Sequence, residues 1–255
     1  VNVTPDSFYD GGRHASTEAA IAHARRLARE GADIVDVGGE SSRPGAEAVP
    51  LEEELARVLP VLDGLRDLAL PISIDTTKPE AMRAALAHGA AMINDIGALG
   101  APGALAAVAA SDAAVCLMHM RGEPKSMQAD PAYGDVVAEV RDFLAARVAA
   151  CEAAGIARAR IAIDPGFGFG KTLAHNLALP RRLDVLAGIG VPVVAGWSRK
   201  SSLGRITGRG AEERLAASLA AALIAVERGA RIVRVHDVAA TRDALAVLAA
   251  VQGAP

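Results

Sequence analysis

The 255-residue chain is 51% apolar and 22% charged, enough to bury one sizeable core, and its formal charge of −3 offers no field to nucleic acid or an anionic membrane. An anionic ligand must therefore be held by a local basic cluster. Cys116 and Cys151 stand far apart outside any C-x-x-C, as in a reducing cytoplasm, no run reaches 18 apolar residues, and no basic segment precedes an apolar one, so nothing reads as spanning or targeting.

Short β-branched runs alternate with alanine-rich helical stretches. The first run is Val1-Asn2-Val3, which reads as mid-strand and is expected to follow a missing start. Ser16 is expected to cap the first helix, with Ile21, Ala24, Leu27 and Ala28 as its apolar stripe and Gly31 as its stop. "DIVDVG" from Asp33 is the second strand, and the helix after it carries Leu51, Leu55, Val58, Leu59 and Leu62 on one face. "ISID" from Ile72 is the third, followed by a helix with Pro79 in its first turn and Gly89 at its end. "AMIND" from Ala91 and "AAVCLM" from Ala113 come next, then a helix over about residues 136–154. "RIAID" from Arg160, "VPVVAG" from Val191 and "RIVRVH" from Arg231 complete eight strands, with helices over about residues 212–228 and 240–251. The runs are near-continuous rather than alternating, as in parallel strands buried on both faces. Eight units in 255 residues is the size of a (β/α)8 barrel. A doubly wound open sheet is the alternative, but it has fewer strands and a glycine fingerprint after the first. No linker, low-complexity tract or charge block divides residues 1–255, so one domain is expected.

Every strand ends in, or leads into, polar or ionisable residues: Asn2; Asp36, then Glu40, Ser42 and Arg43; Asp75; Asn94 and Asp95; His119 after Met118; Asp164; Ser198, Arg199 and Lys200; Arg234 and His236. In a barrel these ends share one mouth, where active sites are built. Asp36, Glu40 and Asp95 could equally cap helices or pair with arginines. His119, between Met118 and Met120, reads more readily as a histidine satisfied behind the site than as a ligand. Asp75, Asn94 and Asp164 together are harder to explain as caps. With Arg43, Lys200, Arg234 and His236 nearby, the mouth suits a ligand of matching polar edges. No H-x-x-x-H or H-E-x-x-H pairing supports a zinc centre, while a hard cation held by Asn2 and ligand oxygens stays open. No G-x-S-x-G and no readable triad supports a nucleophile.

"IDPGFGFGKT", residues 163–172, looks like a phosphate loop but fails the test. The template G-x-x-x-x-G-K-[ST] needs glycine where Pro165 stands, and Gly166, Gly168 and Gly170 do not fit G-x-G-x-x-G. The run is instead a strand ending in Asp164 and a glycine-rich turn.

Taken together, "NVTPDSFYDGG", "DVGGESSRPGA", "ISIDT", "INDI", "CLMHM", "IDPGFGFGK", "WSRKS" and "RVHDV" resemble the bacterial dihydropteroate synthases, in order from Asn2 to the last helix. That resemblance implies a (β/α)8 barrel forming homodimers through helices on its side. It implies the condensation of 6-hydroxymethyl-7,8-dihydropterin diphosphate with p-aminobenzoate, assisted by magnesium and inhibited by sulfonamides that mimic p-aminobenzoate. Residue by residue, it makes Asp75, Asn94 and Asp164 the pterin readers, with Met118 and Lys200 beside them. Asn2 would hold the magnesium, and Arg234 and His236 the diphosphate. Thr4 to Gly12, with Phe8 and Asp10, would form one flexible loop, and Ser42 and Arg43 would sit on a second. Phe169, Lys200 and Ser201 would line the p-aminobenzoate side. Ser42, Tyr9 and Trp197 depart from the family's usual residues, which bears on fine specificity rather than on the reaction. Rival readings are a corrinoid-linked pterin methyltransferase and a pterin-binding paralogue without activity.

Overall fold

Near-continuous apolar runs leave the backbone few choices but to pair, and seven of the eight do so. The structure is a computed structural model that describes residues 1–3, 12–41, 45–123 and 125–253. The chain forms two compact units, residues 1–118 with 147–161, and residues 119–146 with 162–255.

In the first unit, β1 (Val35–Gly38), β2 (Ile72–Asp75), β3 (Met92–Asp95) and β4 (Ala114–Met118) pair in chain order, all parallel. Their register lays Val37, Ile74, Ile93 and Val115 in one row, each buried. The next row is Gly38, Asp75, Asn94 and Cys116. Because strand side chains alternate with period two, that row shares its face with Asp36 two residues earlier, opposite the apolar row. The polar strand ends therefore fall on one side by register alone. Helices α1 (Gly12–Arg29), α2 (Leu51–Gly64), α3 (Pro79–Ala87) and α4 (Ala104–Ala109) pack in sequence, each on the next. Ser16 lies inside α1 instead of capping it. The buried face of α2 is Glu54, Val58, Val61 and Leu62, one step round from the expected stripe, because Glu54 is drawn in by the Lys78 ammonium at 2.6 Å.

The second unit contributes β5 (Ile161–Asp164), β6 (Val193–Ala195) and β7 (Ala230–Val233), again parallel, with a register shift between Val193 and Val194. Helix α5 (Val136–Ala153) begins in this unit and ends in the first. Around the three strands are α6 (Leu173–Arg181), α7 (Leu183–Ala187), α8 (Ser201–Thr207), α9 (Leu215–Glu227) and α10 (Val238–Gln252), with α9 packed on β7, α8 and α10. Among the described residues the eighth strand is reduced to one bridge, Asn2 to Gly38, parallel to β1. The expectation of a full strand at Val1–Val3 is corrected to that bridge, and the result is an α/β architecture of seven parallel strands.

Candidate active site

In the first unit the polar row after β1–β3 is ordered by its own hydrogen bonds. Asn94 Nδ2 donates to Asp36 Oδ2 at 3.3 Å, which fixes the amide's direction and leaves its carbonyl oxygen as the acceptor on the other side. Asp75 and Asn94 are register neighbours and both half-buried at the strand ends. Gly38, the neighbour of Asp75, could not carry a side chain without pressing a Cβ to 3.3 Å of the Asp75 Cβ. Met118 closes β4 and is buried. Asn2 sits beside Gly38, pinned by the backbone bonds of Val1 and Val3 to β1, while its own side chain is exposed. The residues left open between structural and functional roles now separate. Asp95 accepts from the Gly97 and Leu99 N–H groups at 2.6 and 2.7 Å, holding a turn in which Ala98 and Leu99 take positive φ. Glu40 and Glu54 share the Lys78 ammonium. Asp95 and Glu40 are structural, and Asp36 orients Asn94.

In the second unit Asp164 ends β5 at 7% exposure. Its Oδ1 accepts the Gly166 N–H at 2.7 Å. Burial pushes its pKa up, opposed by that hydrogen bond and by Lys200, Arg234 and Lys171. Gly196 after β6 makes room for the other oxygen, since a Cβ there would lie 3.2 Å from Oδ2. Lys200 Nζ lies 4.1 Å above the Phe169 ring centre, so the cation and the aromatic face form one surface. Ser201, the first residue of α8, is exposed.

Ser198 Oγ accepts the His236 backbone N–H at 3.3 Å and lies 3.0 Å from His236 Nδ1. With the hydroxyl proton turned to Nδ1, Nε2 is the ring's N–H donor. The packed inner edge of His236, then the Arg234 and Arg199 guanidinium groups, push its pKa down to about 4, although its outer edge is open. At that pKa the ring is neutral in the ligand-free chain and offers its Nε2–H as a donor. Arg234 is exposed beside it. Arg199 is engaged with both Asp237 oxygens, at 3.0 and 2.6 Å, and braces the "RVHDV" segment. Asp10, Ser42 and Arg43 lie outside the described residues, as do Thr4 to Gly11.

A family model described as "Pterin binding enzyme" matches residues 1–236. A dihydropteroate synthase of Neisseria meningitidis is 54% identical over 254 residues, covering 97% of this chain and 89% of its own length. The solved Xanthomonas albilineans dihydropteroate synthase with 4-aminobenzoic acid matches at TM-score 0.94 and 59% identity, over 100% of this chain and 92% of its own. The same enzyme in complex with 7,8-dihydropteroate matches at TM-score 0.90 and 56% identity, again over 100% and 92%. This chain belongs to the dihydropteroate synthase family.

Within that family's motifs, sequence reasoning missed several supports. His119 and Lys171 form a buried pair, with Lys171 Nζ 3.0 Å from His119 Nδ1. Burial, then the Lys171 charge, hold the His119 pKa down at about 3, so it is the satisfied neutral histidine that the sequence suggested. The departure at Trp197 is a built one: its Nε1 donates to Ser202 Oγ at 2.8 Å and its ring stacks on Phe167 at 4.8 Å. Asp237, adjacent to His236 in a quoted motif, was the readable signal for the Arg199 clamp.

Proposed function

We propose that the chain condenses 6-hydroxymethyl-7,8-dihydropterin diphosphate with p-aminobenzoate, giving 7,8-dihydropteroate and diphosphate for folate. The observation that carries this reading is Asp164, a strand-end carboxylate facing the space that Gly196 leaves open, with cations beside it. The pterin's ring N–H and amino group lie side by side, and a carboxylate accepts both. Asp75 and Asn94 take the remaining ring groups, and Met118 lies against the ring. Phe169, Lys200 and Ser201 bind p-aminobenzoate, and sulfonamides compete there because they copy its shape. Ser42 contacts substrate.

Departure of the diphosphate leaves a methylene cation conjugated with the electron-rich pterin, so the C–O bond breaks before the amine bonds to that carbon. Arg43, Arg234 and the His236 N–H meet the negative charge that grows on the departing oxygens. The neutral aromatic amine needs no strong base, and its proton is lost after attack. Asp10 stabilises the cation. The exposed amide oxygen of Asn2 is a hard donor of the kind magnesium takes alongside phosphate oxygens, so the side chain fits that ion. Magnesium, when bound, would neutralise diphosphate charge.

The chain is proposed to be a single (β/α)8 barrel domain, the Asn2 segment serving as the eighth strand. Its bridge to Gly38 and the likeness of the Xanthomonas structures over the whole chain support this. A homodimer through the helices is supported by exposed Ile206, Leu215, Ile224, Val247 and Val251 on α8–α10. No helix among the described residues is long and apolar enough to cross a membrane, and two buried cysteines not joined in a disulfide suit a cytoplasmic enzyme. The deciding experiment is diphosphate release from the pterin substrate with and without p-aminobenzoate. Release that requires the amine supports the synthase, and none in either case refutes it.

A further inference from the structure

Lys171, the residue that lends its segment the look of a phosphate loop, is only 3% exposed. Its nitrogen lies 3.0 Å from the Gly166 oxygen, 3.0 Å from the Phe169 oxygen, 3.3 Å from the His119 oxygen and 3.0 Å from His119 Nδ1. Among the described residues it makes no ion pair with a carboxylate. One amine thus serves four acceptors, three of them backbone carbonyls, and an ammonium has three N–H groups to give.

The two ligand-facing residues of this segment depend on that hub unequally. Asp164 belongs to β5, whose ladder to β6 is joined at Ile163 and Val193, and its carboxylate is capped by the Gly166 N–H. Phe169 stands in a turn whose flanking glycines, Gly168 and Gly170, have φ of 80° and 61°. Its own peptide is tied by its N–H to the Gly166 oxygen and by its carbonyl to Lys171. Remove the Lys171 bonds, and the Phe169 ring loses its fixed place under the Lys200 ammonium.

We propose that Lys171 is a positioning residue: its ammonium ties the Phe169 and Gly166 carbonyls to His119, sets the aromatic wall for p-aminobenzoate, and slackens that wall when it loses its proton. This rests on reading Phe169 as the p-aminobenzoate side.

The proton is within easy reach. Burial, with Lys200 and Arg121 repelling and Asp164 opposing them, brings the Lys171 pKa down to about 7. His119, held neutral, does not change charge in that range. Below the midpoint three donors hold the carbonyls. Above it the amine keeps two, and its lone pair cannot bond a carbonyl oxygen.

The test is the KM for p-aminobenzoate at saturating pterin diphosphate and magnesium, for the wild type and Lys171→Met, from about pH 6 to about pH 8.5, spanning the titration. The wild-type KM is expected to rise about threefold or more with a midpoint near 7, while Lys171→Met starts about tenfold higher and stays flat with kcat little changed. A merely structural role would lower the melting temperature and leave the pH slope in place. A variant KM within about twofold of wild type, or one that keeps the slope, overturns the proposal. A variant that does not fold leaves a direct reading in the wild type. Trp197, the single tryptophan, stacks on Phe167 in the same turn and reports its packing by fluorescence. A transition near pH 7 in the wild type that moves to lower pH in Asp164→Asn, where the charge that favours the ammonium is gone, supports the hub, and a flat wild-type trace, or a transition that Asp164→Asn leaves in place, overturns it. Should the wild type release no diphosphate in response to p-aminobenzoate, the functional reading fails while the fluorescence titration still decides the role of Lys171.

Discussion

Replacing Asp164 by asparagine changes one atom in a fixed place, and its effect can be worked out from the geometry. The side chain has one internal partner, the Gly166 N–H on Oδ1, so the amide must keep its oxygen there. Its NH2 then occupies the Oδ2 position, in the space beside Gly196, and points a donor at a ligand donor. Losing one charge-assisted hydrogen bond and leaving one ligand N–H unsatisfied costs about 3–5 kcal/mol. That corresponds to a Kd for a pterin without phosphates raised about a hundredfold to several-thousandfold. The fold should not suffer. A carboxyl whose pKa is raised on folding holds its proton more tightly in the native state, so its ionised form lowers stability above the unfolded value, and the neutral amide removes that penalty. Calorimetry with 6-hydroxymethylpterin and a thermal melt of the same sample read both quantities. Binding kept within about tenfold of wild type would refute the placement of the ring against Asp164.

Arg234→Ala should spare binding of the phosphate-free pterin while weakening the diphosphate substrate by about ten- to a hundredfold, the range of one charge-assisted bond, as calorimetry with both ligands would show. Gly170→Ala drives a Cβ into the Arg121 backbone oxygen at a φ of 61°, whereas Gly208→Ala, at 73°, meets open space. The first should lower the melting temperature by about 6–12 °C for about 3 kcal/mol of overlap, and the second by far less; equal losses would show that φ alone matters. For His119, at 5% exposure, the folded pKa of about 3 lies below the ordinary value of 6.5, so the unfolded state binds the extra proton. Stability is therefore full above 6.5 and falls on acidification toward 3, by up to about 5 kcal/mol at about 1.36 per unit, and His119→Gln should flatten that limb in urea unfolding. NMR titration of His236 should find it neutral from about pH 6 upward, with added inorganic diphosphate raising its midpoint from about 4.

The strands and the polar residues that end them were legible because burial on both faces leaves an uninterrupted apolar run, and because an ionisable residue at the end of such a run has no packing reason to be there. Register could not be read from the runs, yet it is register that aligns Asp75 with Asn94 and brings Asn94 to Asp36. The short helices α4, α6, α7 and α8 escaped notice: five to nine residues that include alanine, glycine or proline give too few turns for a periodicity to emerge. The Glu54 position failed for a different reason. A charge on an expected polar face was pulled into the interior by a lysine 24 residues away, a pairing no local pattern encodes. The same holds for Lys171, whose four acceptors come from two separate stretches of chain.

Gly168 and Gly170 accept bonds from Gln128 and the Tyr133 hydroxyl, so the glycine-rich turn leans on a neighbouring segment as well as on itself. The two sides of the proposed substrate surface consequently have different tolerance to inherited change. Drift at Gln128 or Tyr133 would shift the aromatic wall by small steps, and so tune which aryl amines are accepted. The carboxylate at the end of β5 would keep its place, and with it the identity of the heterocycle.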